Sequence, residues 1–138
     1  MLLAVAEASE LTAARAAAVL FWLIAAGFGF YAFPAAAHLL EHRDLPMTAF
    51  GFRAYGGGWF ERFSPEVFAI LLGLFVGTCA VEAFAGWMLW TGSRAGGILT
   101  LALQPIEIVF WSGFAVPIPP IAAVIRLGLL AAGWSALR

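Results

Sequence analysis

Three ionisable side chains sit where an apolar chain rarely carries them: Glu82, Glu107 and Arg126, each deep inside an uncharged run. In hydrocarbon such groups are expensive, and they turn towards the protein interior or pair with one another. Thr100, Gln104, Glu107 and Trp111 follow i, i+4, i+7 and i+11, one face of a helix. Thr78, Glu82 and Gly86 make a polar and small stripe on a second helix, beside a Gly73–Gly77 step. The simplest bundle points both stripes inward. An arginine binds a carboxylate through two parallel hydrogen bonds, which offsets part of the desolvation cost of both charges. Two acids against one base leave one acid over, and burial disfavours its charged form. Two readings follow. The cluster locks helix packing, or it handles a proton, a quinone head group or a cationic ligand. The candidate residues are Glu82, Gln104, Glu107, Arg126, Thr78 and Trp111, centred on Glu82.

Other chemistry finds little support. His38-Leu-Leu-Glu41-His42 has the H-x-x-E-H spacing that places two imidazoles on one helical face with a carboxylate beside them. A protease of that type needs a further ligand and a substrate chamber, which a chain of 138 residues has little material to build. His38, Glu41 and His42 are therefore expected to form a polar turn at a membrane rim, and neither metal nor haem is expected. Cys79 is the single cysteine and lies in an apolar run, so no intramolecular disulfide forms and the thiol reads as packing. No Gly-rich phosphate loop and no Ser–His–Asp set occur. A net charge of −1 offers no basic patch for nucleic acid. No catalytic residue is assigned, and the protein is read as leaning away from an enzyme.

The elements that must position the cluster are apolar helices. The chain is 64% hydrophobic and 11% charged, against roughly 45–50% and 25% in soluble domains. About 20 apolar residues cross a bilayer, and four segments qualify: about 11–33, 65–90, 95–115 and 118–137. The fold class is thus an all-α integral membrane four-helix bundle in a single domain, with one long loop, 34–64, between the first two helices. Aromatic residues interleaved with arginines suit that loop to the headgroup layer, with a short helix near 35–42. Ser64-Pro65-Glu66 supplies an N-cap, a first-turn proline and a dipole-matched acid. Thr91–Arg94 and Val116–Pro120 are turns. Glu7 and Glu10 precede the first basic residue, Arg15, so a retained first span is expected rather than a cleaved leader. Four spans leave both termini on one side, and the arginines divide evenly between the two sides. Counting rise along antiparallel helices puts Glu107 and Arg126 at matching depth and Glu82 roughly 5 Å across the midplane. The expected pair is therefore Arg126–Glu107, with Glu82 unpaired. The absence of Lys and Asn, whose codons are A-rich, points to a GC-rich, bacterial source.

Val81-Glu82-Ala-Phe-Ala-Gly86-Trp-Met-Leu89-Trp-Thr-Gly92-Ser-Arg94-Ala-Gly96 resembles the second-to-third helix junction of DoxX-like membrane proteins. The four-span plan and Arg15 opening the first helix are also similar. That resemblance implies a small four-helix protein of the bacterial cytoplasmic membrane, and an accessory or anchoring subunit for a redox-linked complex. Relatives of that family are linked to thiosulfate:quinone oxidoreductase and to thiol-stress complexes. Glu82, Gly86, Gly92 and Arg94 carry over by position. Gln104–Glu107 and the 34–64 loop depart from the family pattern, and one cysteine leaves no self-contained thiol role. Pro105-Ile106-Glu107-Ile108 is also similar to the Pro-x-Glu-Glu-like motif of small lycopene-cyclase subunits, without its second acid; this implies an enzyme on an isoprenoid-type lipid. The expected partners are membrane lipids and a protein partner or second copy, with quinone the one cofactor entertained.

Overall fold

The structure, a computed structural model, describes residues 1–138. It is all-helical: α1 Leu2–His42, α2 Pro65–Trp90, α3 Arg94–Gly113 and α4 Ile118–Gly133, with single 3-10 turns at Trp59–Arg62 and Trp134–Ala136. All four helices, α4 counted with its terminal turn, are long and apolar enough to cross a membrane. The first helix departs from expectation. It was expected over 11–33 with a separate short helix at 35–42, and it runs unbroken through Pro34 to Arg43, whose left-handed backbone ends it. A proline removes one i−4 hydrogen bond and crowds the preceding turn. Ala32, Ala35 and Leu39 are buried on both sides of Pro34, and that packing holds the helix together across the break. At 41 residues and about 1.5 Å per residue, α1 spans about 60 Å. The other boundaries lie close to those read from the sequence. Ser64 accepts the Val67 N–H at 3.3 Å as the N-cap of α2.

The helices line up in the order α4–α1–α2–α3, and α3 meets α4 only loosely. Small residues set the α1 contacts. A Cβ on Gly29 would stand 3.3 Å from Cys79 Cβ, so α1 and α2 run close there. Gly86 lies against Trp22, whose indole N–H donates to the Ala83 carbonyl at 3.0 Å. Gly133 lets α4 reach the Glu10 carbonyl of α1. The Gly73–Gly77 step does not point inward: both glycines are exposed, with nothing within 4 Å of an added Cβ. The two stripes of α2 lie on different sides of the helix, and the one bearing Glu82 and Gly86 took the interior.

Buried apolar residues form two separate blocks. The first holds Ala25, Phe75, Cys79, Phe110 and Ala123; the second holds Phe21, Ala85, Leu103 and Leu130. The boundary falls between Phe21 and Ala25 on α1, Cys79 and Ala85 on α2, Leu103 and Phe110 on α3, and Ala123 and Leu130 on α4.

The connection between α1 and α2 starts at residue 43, not 34, and it is more than a surface loop. Phe60 is buried against Phe110 and Phe114, and Gly113 leaves the room its ring needs: a Cβ there would sit 2.3 Å from Phe60. Gly58 passes over the Gly113 carbonyl, where a Cβ would stand at 2.0 Å. Tyr55 is buried and donates to the Phe28 carbonyl. A short antiparallel bridge between Met47 and Arg53 folds the first half of the connection back on itself. Arg53 pairs with Glu61 at 2.6 Å and Asp44 at 3.3 Å, and Arg43 pairs with Glu66. At the opposite end the chain terminus pairs with the α2–α3 turn, Arg94 N–H to the Arg138 carbonyl and Arg138 N–H to the Gly92 carbonyl, both at 2.9 Å.

Candidate functional site in the buried polar layer

The level that separates the two apolar blocks holds the acids and the arginine. Glu82, Glu107 and Arg126 are each at most 2% exposed. Arg126 Nη2 donates to Glu107 Oε2 at 2.7 Å, the pair that helical depth predicts. Gln104 Nε2 donates to the same oxygen at 2.7 Å and to the Thr100 carbonyl at 3.3 Å. The Arg126 guanidinium carbon lies 3.7 Å from the centroid of Phe21 on α1, a cation–π contact. Each of the four helices therefore gives at least one side chain to the layer.

Glu82 is not stranded across the midplane. Its carboxyl group faces that of Glu107, and no cation pairs with it. The direction of side chains along a helix accounts for the difference. Cβ atoms lean towards the helix N-terminus. In the antiparallel α2 and α3, that tilt carries Glu82 and Glu107 towards each other and closes a gap that Cα positions alone leave open. Glu82 Oε2, Glu107 Oε1 and Arg126 Nε have no hydrogen-bond partner. Two ionised carboxylates are acceptors only. A proton on one of them supplies the donor that the acid pair lacks.

The other sequence candidates divide. Thr78 is half-buried and its hydroxyl donates to the Leu74 carbonyl of its own helix at 3.1 Å, so it does not join the layer. Trp111 is buried one turn beyond Glu107 and lines a cleft of about 480 Å³ between α3 and α4, together with Gln104, Ala123 and Val124. Gln104 thus touches both the cleft and Glu107. His38 and His42 stack with ring centroids 4.2 Å apart, and no group of three metal-ligating side chains forms around them. Phe21 is the member that residue types did not flag. α1 has no charged residue near this level, so nothing in its sequence marked the ring facing Arg126.

No protein-family model matches the chain, and neither does any curated protein or solved structure. Within the Val81–Gly96 stretch, Gly86 is spent on the Trp22 contact, and Gly92 takes φ +79° in the α2–α3 turn. Arg94 opens α3. Glu82 is the one of the four that lies in the buried polar layer.

Proposed function

We propose that this chain is a multi-pass membrane protein whose interior binds and releases one proton on the Glu82–Glu107 carboxyl pair, held against Arg126. The observation that carries the reading is the facing pair of fully buried carboxyl groups beside a single guanidinium. Membrane insertion is supported by the outer surface, where Leu23, Phe30, Ile70, Phe84, Ile98 and Val124 are exposed while the charged layer is inside. Gln104 lines the α3–α4 cleft and donates to Glu107, so one hydrogen bond separates the cleft from the acid pair. The bacterial cytoplasmic membrane is the location we assign, on the resemblance of Val81–Gly96 to DoxX-like proteins, with the absence of Lys and Asn pointing to a bacterial source.

Infrared difference spectra of the protein in lipid nanodiscs, titrated from acid to alkaline pH, test this. The carbonyl stretch of a buried carboxylic acid is expected, titrating in the wild type and lost in Glu82→Gln. Proteoliposomes loaded with a pH-sensitive dye are expected to dissipate a proton gradient faster with wild type than with Glu82→Gln. A band that never titrates, with no proton movement, reduces the layer to a packing lock.

A second reading, an accessory subunit of a redox-linked complex, has its own support. The outward Gly73–Gly77 face offers a place where another helix can approach closely. Gly77→Cys in a Cys79→Ala background is expected to crosslink to a neighbour in native membranes; exclusive self-crosslinking assigns the face to a second copy of this chain.

A further inference from the structure

A second cavity lies away from the polar layer, at the end of the bundle where the α1–α2 connection folds back. It measures about 660 Å³ and is walled by Phe28 and Tyr31 of α1, the 47–56 segment, and the turn after α3. That volume falls within the roughly 300–1,000 Å³ typical of small-molecule pockets. Its walls are mostly apolar, and Phe50, Phe52, Tyr55 and Phe114 line it together with the two α1 rings. Two non-glycine residues in its wall, Tyr55 and Ala115, hold left-handed backbone at φ 58° and 50°. Such conformations cluster at ligand clamps.

The polar groups of the wall restrict what can enter. Tyr55 and Thr48 hydroxyls are spent on backbone carbonyls, those of Phe28 and Phe52. Arg53 is engaged by Glu61 and Asp44, two acids against one base. Asp44 and Glu61 lie outside the wall, but their pairing with Arg53 leaves that guanidinium no net positive charge to offer an anionic head, and a cationic head would meet Arg53 itself. Among the side-chain hydroxyls of the wall only that of Tyr31 is left without a protein partner, a neutral hydrogen-bonding group beside the backbone of the 47–56 segment. The mouth is rimmed by exposed apolar side chains, Met47, Phe50, Phe52 and Ile118, with Phe50 at 87% exposure. An occupant therefore arrives from an apolar phase. We propose that this cavity binds an uncharged single-chain lipid of the monoacylglycerol type, its tail among the aromatic rings and its hydroxyl head on Tyr31.

The test uses the full chain, purified in detergent, with 1-monooleoylglycerol and oleate as probes and native mass spectrometry as readout. A one-to-one adduct with the monoacylglycerol is expected, and oleate is expected to bind at least tenfold more weakly. Ala49→Trp places an indole in the cavity from an exposed position and is expected to weaken binding at least tenfold. Ile118→Trp fills it from the other wall and gives the same result if the first variant folds poorly. Tyr31→Phe is expected to cost a few-fold. No adduct with wild type, equal binding by both tryptophan variants, or equal binding of oleate overturns the proposal. Glu82→Gln is expected to leave lipid binding unchanged, so a failure here and a failure of the proton reading are told apart.

Discussion

Arg126 is the only cation in the interior, and its removal separates charge balance from packing. Arg126→Met keeps the volume and leaves Glu107 buried without its cation. Breaking one side of a buried pair costs about 3–5 kcal/mol, whereas replacing both partners with apolar residues is often neutral. We expect Arg126→Met to lower the midpoint of thermal unfolding in detergent far more than the double variant Arg126→Met/Glu107→Leu; a double variant as unstable as the single one contradicts the pairing. Glu82→Gln is expected to be tolerated, because the amide is close in size to the carboxyl and carries a donor it can turn towards Glu107. Its stability should lie within about 1 kcal/mol of wild type, the ordinary scale of a single substitution. The residue scale was also the most legible in the sequence. Acids and an arginine inside apolar runs announce themselves by type, and helical rise paired Arg126 with Glu107. Rise alone misplaced the Glu82 carboxyl, because it counts Cα levels and ignores the tilt of the side chain. Phe21 stayed hidden because an aromatic ring in an apolar helix carries no signal of what faces it.

Helix extents were legible wherever turn chemistry is strong. Ser64-Pro65 starts α2, and Gly92 with its positive φ separates α2 from α3. Pro34 misled because a proline's local cost was weighed without the packing that crosses it. The α1–α2 connection begins later than expected, at residue 43, and its inward half was not legible. Its arginines and aromatics have the composition of a headgroup layer, and nothing local distinguishes Phe60, which plugs the bundle, from Phe50, which is exposed. What holds the plug is backbone proximity at Gly58 and Gly113. Gly58→Ala drives a methyl into the Gly113 carbonyl and is expected to unseat Phe60, whose burial is worth about 1.5–3 kcal/mol. Trypsin should then cut faster after Arg53 and Arg62 while the helices resist; unchanged cutting would show that the plug tolerates the methyl. The same connection has an alkaline limit. Burial holds the Tyr55 phenol above its ordinary value. The folded state therefore keeps the proton where the unfolded chain begins to lose it, near pH about 10. Below that pH the contribution is complete, and above it stability falls. Tryptic cutting after Arg53 should accelerate above that pH in the wild type, and Tyr55→Phe should remove that alkaline step.

At the scale of the molecule, four helices return the chain to the side it started from. Ser135 donates to Glu10 at 2.5 Å, and Arg15 reaches the Trp90 carbonyl at 3.2 Å, so both chain ends and the α2–α3 turn gather at one end. The Phe60 plug and the lipid-sized cavity lie at the other. Single cysteines at Glu7 and Arg138 in a Cys79→Ala background should label from one face of sealed vesicles, and one at Phe50 from the opposite face; labelling of all three from one face excludes the bundle as a membrane-spanning unit.

The polar layer has one more consequence, which concerns how the sequence can drift. It cuts the apolar interior into two compartments with no buried member in common, and distant sites without shared partners combine additively. A volume change at Phe75 then leaves Leu103 and Leu130 indifferent. Each compartment can be rewritten by its own mutational history, and only Glu82, Glu107, Arg126 and the ring of Phe21 need agree across the divide.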